Sequence, residues 1–363
     1  MKRVAKRRSS RAGSAIGEPD VQHADRRADS FVGPAGDPLR TGPKPPLPLA
    51  PPVFLLAPPR SHAAVVCAML GQHPQLYSLP ETHLFTAPTI EAWWAMCERS
   101  TFRMADGLLR AVAQLFFGEQ TDDSVNAAEG WLRRRSQFST GLICEALAER
   151  VSPRLLVESC TTIVSRPAAL RRMLRMFPPA RFIHVAQHPR DFGEFLMKGI
   201  QEASKMGPVP YWMLNLASLP GPSASEDGTP HKDAGFDPQR AWYVLNANID
   251  GFLKPISEPQ KILLRVEDLM ADPRQTVGRI ASWLGLRTDD EAIEQMLHPE
   301  RSPYACFGPR SARYGNEGAF LQNPALGDAP VELHSLEGPL SWTREGQGFL
   351  PRVKELARQF GYE

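Results

Sequence analysis

Four short apolar segments recur along the chain, each followed by a break and then by a stretch with helical spacing. They are VFLLA at 53–57, RLLVE at 154–158, RFIHVA at 181–186 and KILLRV at 261–266. Strands that alternate with helices predict a parallel sheet covered on both faces. The predicted fold class is therefore α/β, a doubly wound parallel sheet flanked by helices. Ligands bind such sheets at the carboxyl ends of the strands, so the loops at 57–64, 159–165 and 187–191 are candidate sites.

The helices between these strands have recognisable ends. The first, VVCAMLGQ, is expected to end at Gly71, and another is expected over residues 167–176. After the last strand, Asp272 can cap a helix whose first turn holds Pro273.

Two longer stretches interrupt the alternation within a domain that we expect to cover residues 53–363. Residues 88–150 include adjacent tryptophans and an amphipathic part, and they predict an inserted helical cap. Residues 206–238 are dense in Gly, Pro, Ser and Asp and are too long for an ordinary connection. They predict either a mobile lid over a site or an incidental surface insertion.

The first 52 residues differ from the rest in composition. They are rich in Arg, Pro, Gly and Asp and offer too little apolar surface to offset the entropy of ordering. We expect a disordered, basic, Pro-rich tail ending in a stiff polyproline-like spacer. Because the tail is basic while the whole chain carries a net charge of only +2, the rest of the chain is slightly acidic. The tail either contacts nucleic acid or a membrane surface, or is a solvated leader.

The rest of the composition favours a globular protein of the cytoplasm. No apolar segment follows the basic start, and no run approaches about 18 apolar residues, so neither a secretory signal nor a membrane span is expected. The five cysteines lack CxxC spacing, so we expect neither disulfides nor zinc. No specific nucleic-acid partner and no membrane partner are expected, and the sequence predicts no particular oligomeric state.

The loop after the first strand, APPRSHAA at 57–64, has the position of a phosphate cradle. It is not a Walker loop, because GxxxxGK[ST] requires glycines and a lysine that this loop lacks. Arg60 can still bind phosphate with two hydrogen bonds, and Ser61 can donate a hydroxyl. The alternative for Arg60 is an ion pair with a surface carboxylate.

Glu81 is the candidate general base near this loop, with His83 beside it. The same stretch also fits a helix capping box, with Ser78 as the N-cap and Glu81 at the third helical position. His62 is a further candidate base, although a single histidine commonly has a structural role.

At this point the sequence resembles a known family. The string PPRSHAAVVCAMLGQHPQLYSLPETHLF is similar to the 5'-phosphosulfate loop region of sulfotransferases that use 3'-phosphoadenosine 5'-phosphosulfate (PAPS), of the bacterial type whose loop begins PRS. MFPPARFIHVAQHPRD resembles the family's second signature, and RVEDLMADPRQTVGRIASWLGL resembles its later helical segment. These blocks lie in the family's order over residues 53–286.

The resemblance implies a sheet like that of the P-loop nucleotide kinases and transfer of a sulfuryl group from PAPS, as co-substrate, without a metal. The acceptor would be a hydroxyl or amine of a small molecule of specialised metabolism, free or bound to a carrier. Arg60 corresponds to the cationic residue that binds the 5'-phosphate, and Glu81 corresponds to the glutamate that acts as base.

The chain departs from the family pattern in three blocks. His62, Ala63 and Ala64 replace the glycine and two hydroxyl residues of the loop. Gln187 and Phe195 replace the Arg and Ser that the family presents to the 3'-phosphate. Residues 159–161 are Ser, Cys and Thr, where the family has a lysine.

Four other arginines could compensate for these losses. Arg310 and Arg313 lie in the segment FGPRSARYGNEGAF, whose glycines indicate close backbone approach, and Arg166 and Arg190 lie near the other two candidate loops. The alternative for each is a solvated surface arginine.

Three functions therefore remain open. The chain is a sulfotransferase with an altered nucleotide site, or a protein that keeps the fold but acts as a scaffold or partner subunit. The third is an enzyme that works without PAPS on a carrier-bound or CoA-linked substrate.

Overall fold

Five parallel strands form one sheet in the order β2–β3–β1–β4–β5. They are β1 (Val53–Leu56), β2 (Leu76–Ser78), β3 (Leu155–Ser159), β4 (Arg181–Ala186) and β5 (Lys261–Arg265). The computed structural model describes residues 50–100, 103–206, 237–327, 334–343 and 346–363, with backbone alone at 201–206. Nearly all of the predicted tail (1–52) and insertion (206–238) lies outside these ranges, so both remain predictions.

Thirteen α-helices accompany the sheet in the described part of the chain. They are α1 (Ala63–Gly71), α2 (Ile90–Arg99), α3 (Asp106–Val112), α4 (Asp122–Arg133), α5 (Thr140–Val151), α6 (Pro167–Met176), α7 (Pro189–Met206), α8 (Pro238–Leu253), α9 (Val266–Ala271), α10 (Pro273–Leu284), α11 (Asp290–Met296), α12 (Gly318–Gln322) and α13 (Pro351–Gln359). A π-helical turn, Ala113–Phe117, continues α3.

The strands separate two apolar cores. Phe54 and Leu56 of β1 belong to a core formed with α2 to α8 and α13, while Val53 and Leu55 belong to a second core formed with α1, α10 and α11. All four of these side chains are fully buried, which explains why the strand is apolar throughout and does not alternate. The predicted α/β class, with helices on both faces, is confirmed.

The sequence signals differ in how well they located the elements. The β4 strand and helix α6 have the predicted limits, and Asp272 does cap α10, accepting a hydrogen bond from the N–H of Gln275. Strand β2 was missed because three residues are too few to show a periodic pattern. Helix α9 was missed because it follows β5 without a loop.

Strand β1 lies at the centre of the sheet, where the chain connections change direction. Its neighbours are β3 on one side and β4 on the other. In open parallel sheets, the crevice beyond such a position is where ligands bind. The turn that follows β1 is therefore in the expected place for a binding site.

Candidate active site

The turn between β1 and α1 has a strained and well-defined backbone. Arg60 and His62 both have left-handed conformations, with φ of 70° and 60°. Residues other than glycine keep such angles only where the surrounding structure requires it. Ser61 is fully buried, and its hydroxyl donates to the carbonyl of Pro58. The predicted donor hydroxyl of Ser61 is thus used to close the turn itself.

Helix α1 begins directly behind this turn. Ala63 and Ala64 are buried in its first turn, where N–H groups have no acceptor within the helix. These two residues therefore present backbone donors and no polar side chain. The Nδ1 atom of His62 is buried without a hydrogen-bond partner in the described residues, and burial lowers the pKa of His62. The imidazole is neutral near pH 7.

Glu81 lies in extended chain after β2. The capping-box alternative is wrong, because Ser78 is the last residue of β2 and residues 79–83 are not helical. The Glu81 N–H donates instead to the carbonyl of Gly315 at 2.6 Å. The Thr161 hydroxyl donates to Glu81 Oε1 at 2.7 Å. The backbone N–H and the carboxylate of Glu81 are thus hydrogen-bonded to distant residues and not to the first turn of a helix.

The surroundings of Glu81 prepare it for proton transfer. Burial raises the pKa of Glu81, while the Thr161 hydroxyl and the charge of Arg60 act against that rise. A carboxylate whose pKa is raised above the ordinary range is a better general base near neutral pH. Arg60 and Glu81, the two predicted catalytic residues, are therefore near enough to interact electrostatically.

His83 and Glu81 both line one cavity. The cavity has a volume of about 350 Å³, and its lining residues are Glu81, His83, Arg103, Met104, Tyr314, Gly315 and Asn316. The His83 ring lies 3.3 Å from the Thr162 hydroxyl through Nδ1, and burial lowers the pKa of His83 to about 4. The ring is therefore neutral at pH 7 and faces the space where a small molecule can bind.

A late segment of the chain, residues 302–317, forms part of the cavity wall through Tyr314, Gly315 and Asn316. It is held by Arg110 of α3, which is fully buried and donates from Nη1 to the carbonyl of Tyr314 at 2.6 Å. Asp106 accepts from the Tyr314 N–H at 2.9 Å and from Arg103 Nε at 2.8 Å. The segment is thereby fixed to the start of α3.

Close backbone packing at Gly107 sets the position of Glu81. A Cβ atom on Gly107 would lie 1.9 Å from the carbonyl oxygen of Glu81, which is backbone and cannot rotate away. We expect Gly107→Ala to lower the free energy of unfolding by about 1 to 3 kcal/mol through overpacking. The matched control is Gly251→Ala in α8, where a Cβ meets nothing within 4 Å. Chemical denaturation that gives equal stability for both variants would contradict the prediction.

Arg310 and Arg313 do not line the cavity. Arg310 is exposed and acts electrostatically on Asp122 of α4, and the Arg313 guanidinium lies 5.0 Å from the ring centroid of Phe307. Their segment reaches the β1–α1 turn through another residue, Glu317. The carboxylate of Glu317 accepts a hydrogen bond from the Arg60 N–H at 3.0 Å.

Glu317 and Glu81 form a pair of carboxylates near Arg60. Burial raises the pKa of Glu317 to about 7; Arg60 opposes the shift, and the negative charge of Glu81 adds to it. Two acids near one guanidinium carry more negative charge than Arg60 alone can neutralise. At pH 7 the Glu317 carboxyl is therefore protonated in a substantial fraction of molecules.

The residues after β4 that were expected to contact a nucleotide, Gln187, Arg190 and Phe195, have different surroundings. Gln187 is buried with no partner for its Oε1 in the described residues, while its backbone carbonyl accepts from Trp242 Nε1 at 2.8 Å. Arg190 donates to the carbonyls of Ser335, Glu337 and Pro339. Phe195 is 41% exposed. Arg190 therefore holds the chain's own late backbone, and Phe195 presents an apolar surface.

The loop after β3 contributes through Thr161. Ser159 is buried, and its hydroxyl has no partner in the described residues. Cys160 packs its sulfur 3.9 Å from Met173 Sδ. Arg166 is exposed at the start of α6, with Nη1 3.9 Å from Met96 Sδ. Of this block, Thr161 is the residue in direct contact with Glu81.

A third acid, fully buried, supports the chain around Glu81. Glu158 of β3 accepts from the Thr82 hydroxyl, and burial raises the pKa of Glu158 to about 7. Thr82 is itself fully buried. This contact fixes the residue that follows Glu81 to the central part of the sheet.

Sequence reasoning missed several residues of the site. They are Arg103, Asn316, Glu317 and the supporting residues Gly107 and Glu158. One signal was available, since the glycines of the late segment predicted close backbone approach and Gly315 does accept from Glu81. Nothing in the local pattern distinguishes Glu317 from a surface acid.

Two further properties hold for the described residues. None of the helices there is both long and apolar enough to cross a membrane. Within the same residues, no group of three or more His, Cys, Asp or Glu side chains is placed to hold a metal ion.

The fold and the site define an α/β protein with a candidate anion-binding turn and a carboxylate base beside it. Residues 51–206 match the profile of the sulfotransferase family. This match confirms the resemblance to the sulfotransferase family seen in the sequence, over the part of the chain that carries β1 to α7. No curated protein matches the sequence significantly.

Two solved structures share the fold. The sulfotransferase domain from the curacin biosynthetic pathway superposes with a TM-score of 0.62 at 20% identity, over 86% of this chain and 99% of that one. The sulfotransferase domain of the Synechococcus PCC 7002 olefin synthase gives a TM-score of 0.61 at 20% identity, over 86% of this chain and 95% of that one. At this level of identity the likeness concerns the fold.

Proposed function

We propose that the protein transfers a sulfuryl group from PAPS to a hydroxyl or amine of a small-molecule acceptor. The observation that supports this most directly is that the charge of Arg60, in the turn after the central strand, acts on Glu81, which lines a cavity. The acceptor is a small molecule of specialised metabolism, free or carrier-bound. Both structural neighbours are named for biosynthetic systems, which is the basis for that class.

In this mechanism the acceptor occupies the cavity next to Glu81. The Glu81 carboxylate takes the proton from the acceptor hydroxyl or amine as the new bond to sulfur forms. The bond between that sulfur and the 5'-phosphate oxygen breaks, and the phosphate leaves with the electron pair. Arg60 and the N–H groups at the start of α1 stabilise the negative charge on the leaving phosphate. The protein thus supplies positioning, a base and charge stabilisation.

The residues fit the two ends of the donor differently. The turn at Arg60, with helix α1 behind it, offers cationic and N–H donors to the 5'-phosphosulfate. At the end of β4, Gln187 is neutral and Arg190 already donates to three backbone carbonyls. The 3'-phosphate would therefore gain little charge-assisted binding from these two residues, and we expect weak affinity for the nucleotide.

The same observation favours a second candidate function. An enzyme that uses Glu81 as a base on a CoA-linked or carrier-bound substrate, without PAPS, needs no cation at Gln187. In that case the cavity and Glu81 keep their roles, and the turn at Arg60 binds a different phosphate. The two functions differ in whether adenosine 3',5'-bisphosphate binds.

The deciding experiment combines binding and transfer. We expect millimolar adenosine 3',5'-bisphosphate to raise the melting temperature of the full chain, because a ligand of the folded state stabilises it by mass action. PAPS labelled with ³⁵S, incubated with the protein and a metabolite extract, is expected to give a labelled product that is absent without the protein. Absence of both the thermal shift and the labelled product would exclude the proposed function and leave the second candidate.

A further inference from the structure

Glu317 is an acidic side chain, ionised above its raised pKa of about 7, and it is placed where the site would otherwise receive an anion. Its Oε1 accepts from the Arg60 N–H at 3.0 Å, across 257 residues of sequence. Arg60 has a left-handed backbone conformation with φ of 70°, in the turn that leads into α1. Turns that combine left-handed residues with a helix start direct their N–H groups toward a common anion.

The carboxylate of Glu317 makes the contact that a phosphate oxygen would make in such a turn. It binds a backbone N–H of the turn, and the charge of Arg60 stabilises its ionised form. Phosphate oxygens use the same two kinds of partner, a backbone N–H and a guanidinium. An incoming phosphate and the Glu317 carboxylate therefore compete for one set of donors.

The balance of charge around Arg60 strengthens this competition. Arg60 is the cation that acts on both Glu81 and Glu317, and Glu81 already adds a negative charge beside it. A bound phosphate would bring further negative charge into a partly buried space, where screening by water is weak. Binding of a phosphate thus requires the Glu317 carboxylate to move away.

We propose that Glu317 is an internal anion that occupies the phosphate-binding turn and determines how tightly an external phosphate group binds there. The inference rests on the proposed function in one respect: the phosphate that competes is that of the donor nucleotide. Glu317 lies at the start of α12, in the late segment that forms the cavity wall. If the Glu317 carboxylate left the turn, the hydrogen bond that links this wall to Arg60 would break.

A purely structural role for Glu317 makes the opposite prediction. If the carboxylate served only to hold the turn in shape, its replacement would disorder the turn and weaken anion binding. If it competes with the ligand, its replacement tightens binding. The direction of the change therefore separates the two roles.

The test measures dissociation constants by titration calorimetry at pH 8 for inorganic pyrophosphate and for adenosine 3',5'-bisphosphate. The variants are Glu317→Gln, which removes the charge and keeps the shape, and Glu317→Ala, which removes the acceptor as well. The charge-matched control is Glu258→Gln, whose side chain is 87% exposed just before the edge strand β5, at the amino ends of the parallel strands and away from the turn after β1. Circular dichroism melts verify that every variant is folded.

We expect both Glu317 variants to bind pyrophosphate at least about tenfold more tightly than the wild type, because one negative charge is removed from the turn. Glu258→Gln is expected to bind like the wild type. Equal or weaker pyrophosphate binding by folded Glu317→Gln and Glu317→Ala would overturn the proposal, as would the absence of pyrophosphate binding in all proteins.

The nucleotide measurements separate this proposal from the proposed function. Tighter pyrophosphate binding without any nucleotide binding or sulfuryl transfer would support the role of Glu317 and refute PAPS use. Nucleotide binding and sulfuryl transfer by the wild type, with no tightening in either variant, would support PAPS use and refute the role of Glu317.

Discussion

Replacing Glu81 with glutamine is expected to lower kcat for sulfuryl transfer by about 10² to 10⁴, the contribution typical of a general base. Glutamine keeps the size of the side chain and can still accept from the Thr161 hydroxyl at the Oε1 position. The substitution therefore removes proton abstraction with little change in geometry. Adenosine 3',5'-bisphosphate should bind at least as tightly as before, because a negative charge near Arg60 is lost.

The pH profile gives an independent measurement of the same role. Burial raises the pKa of Glu81, so the carboxylate becomes protonated, and inactive as a base, at a higher pH than an exposed glutamate. The wild-type rate is expected to fall as pH decreases through that raised pKa. In Glu81→Gln this acidic limb should be absent. A variant that keeps wild-type kcat, or that keeps the acidic limb, would assign the base to another residue.

Replacing Arg60 with alanine is expected to lower kcat/KM for transfer by about 10² to 10³, since a charge that stabilises the leaving phosphate is removed. Alanine tolerates the left-handed backbone about as well as arginine does, so the strain in the turn is unchanged. Arg60→Lys should give an intermediate rate, because lysine restores the charge without the two parallel donors of the guanidinium.

The control for Arg60 is Arg274→Ala in α10. Arg274 is half exposed and pairs with the surface acids Asp290 and Glu294. Arg274→Ala changes the net charge by the same amount as Arg60→Ala, at a position more than two hundred residues from the turn in sequence. Exposed ion pairs of this kind contribute little to stability. Transfer by Arg60→Ala at the rate of Arg274→Ala would show that the guanidinium has no part in catalysis.

Apolar segments and helix ends predicted the framework of this protein well. The strands at β1 and β4, the α6 limits and the Asp272 cap all depend on residues within a few positions of each other. Local pattern is sufficient for such features because the same neighbours that produce the pattern form the structure. The position of the site followed from the strand order, since ligands bind where parallel strands end.

The interior of the site could not be predicted in the same way. Ser78 and Glu81 match a capping box, yet the Glu81 N–H binds the carbonyl of Gly315, more than two hundred residues later. Glu317 reaches Arg60 across 257 residues. Hydrogen bonds to residues distant in sequence thus take the place of the local hydrogen bonds that the pattern predicted. One sequence contains no sign of which distant residue will supply them.

The late segment has a consequence for how the protein folds. The cavity wall at Tyr314 to Asn316 is joined to α3 by buried Arg110, and Glu317 joins the same segment to the turn after β1. Closing so long a loop costs entropy before these contacts form. During synthesis, the sheet residues of β1, β3 and β4 emerge from the ribosome well before residue 317 does. The candidate binding site is therefore completed only once residue 317 has emerged, later than the strands that position it.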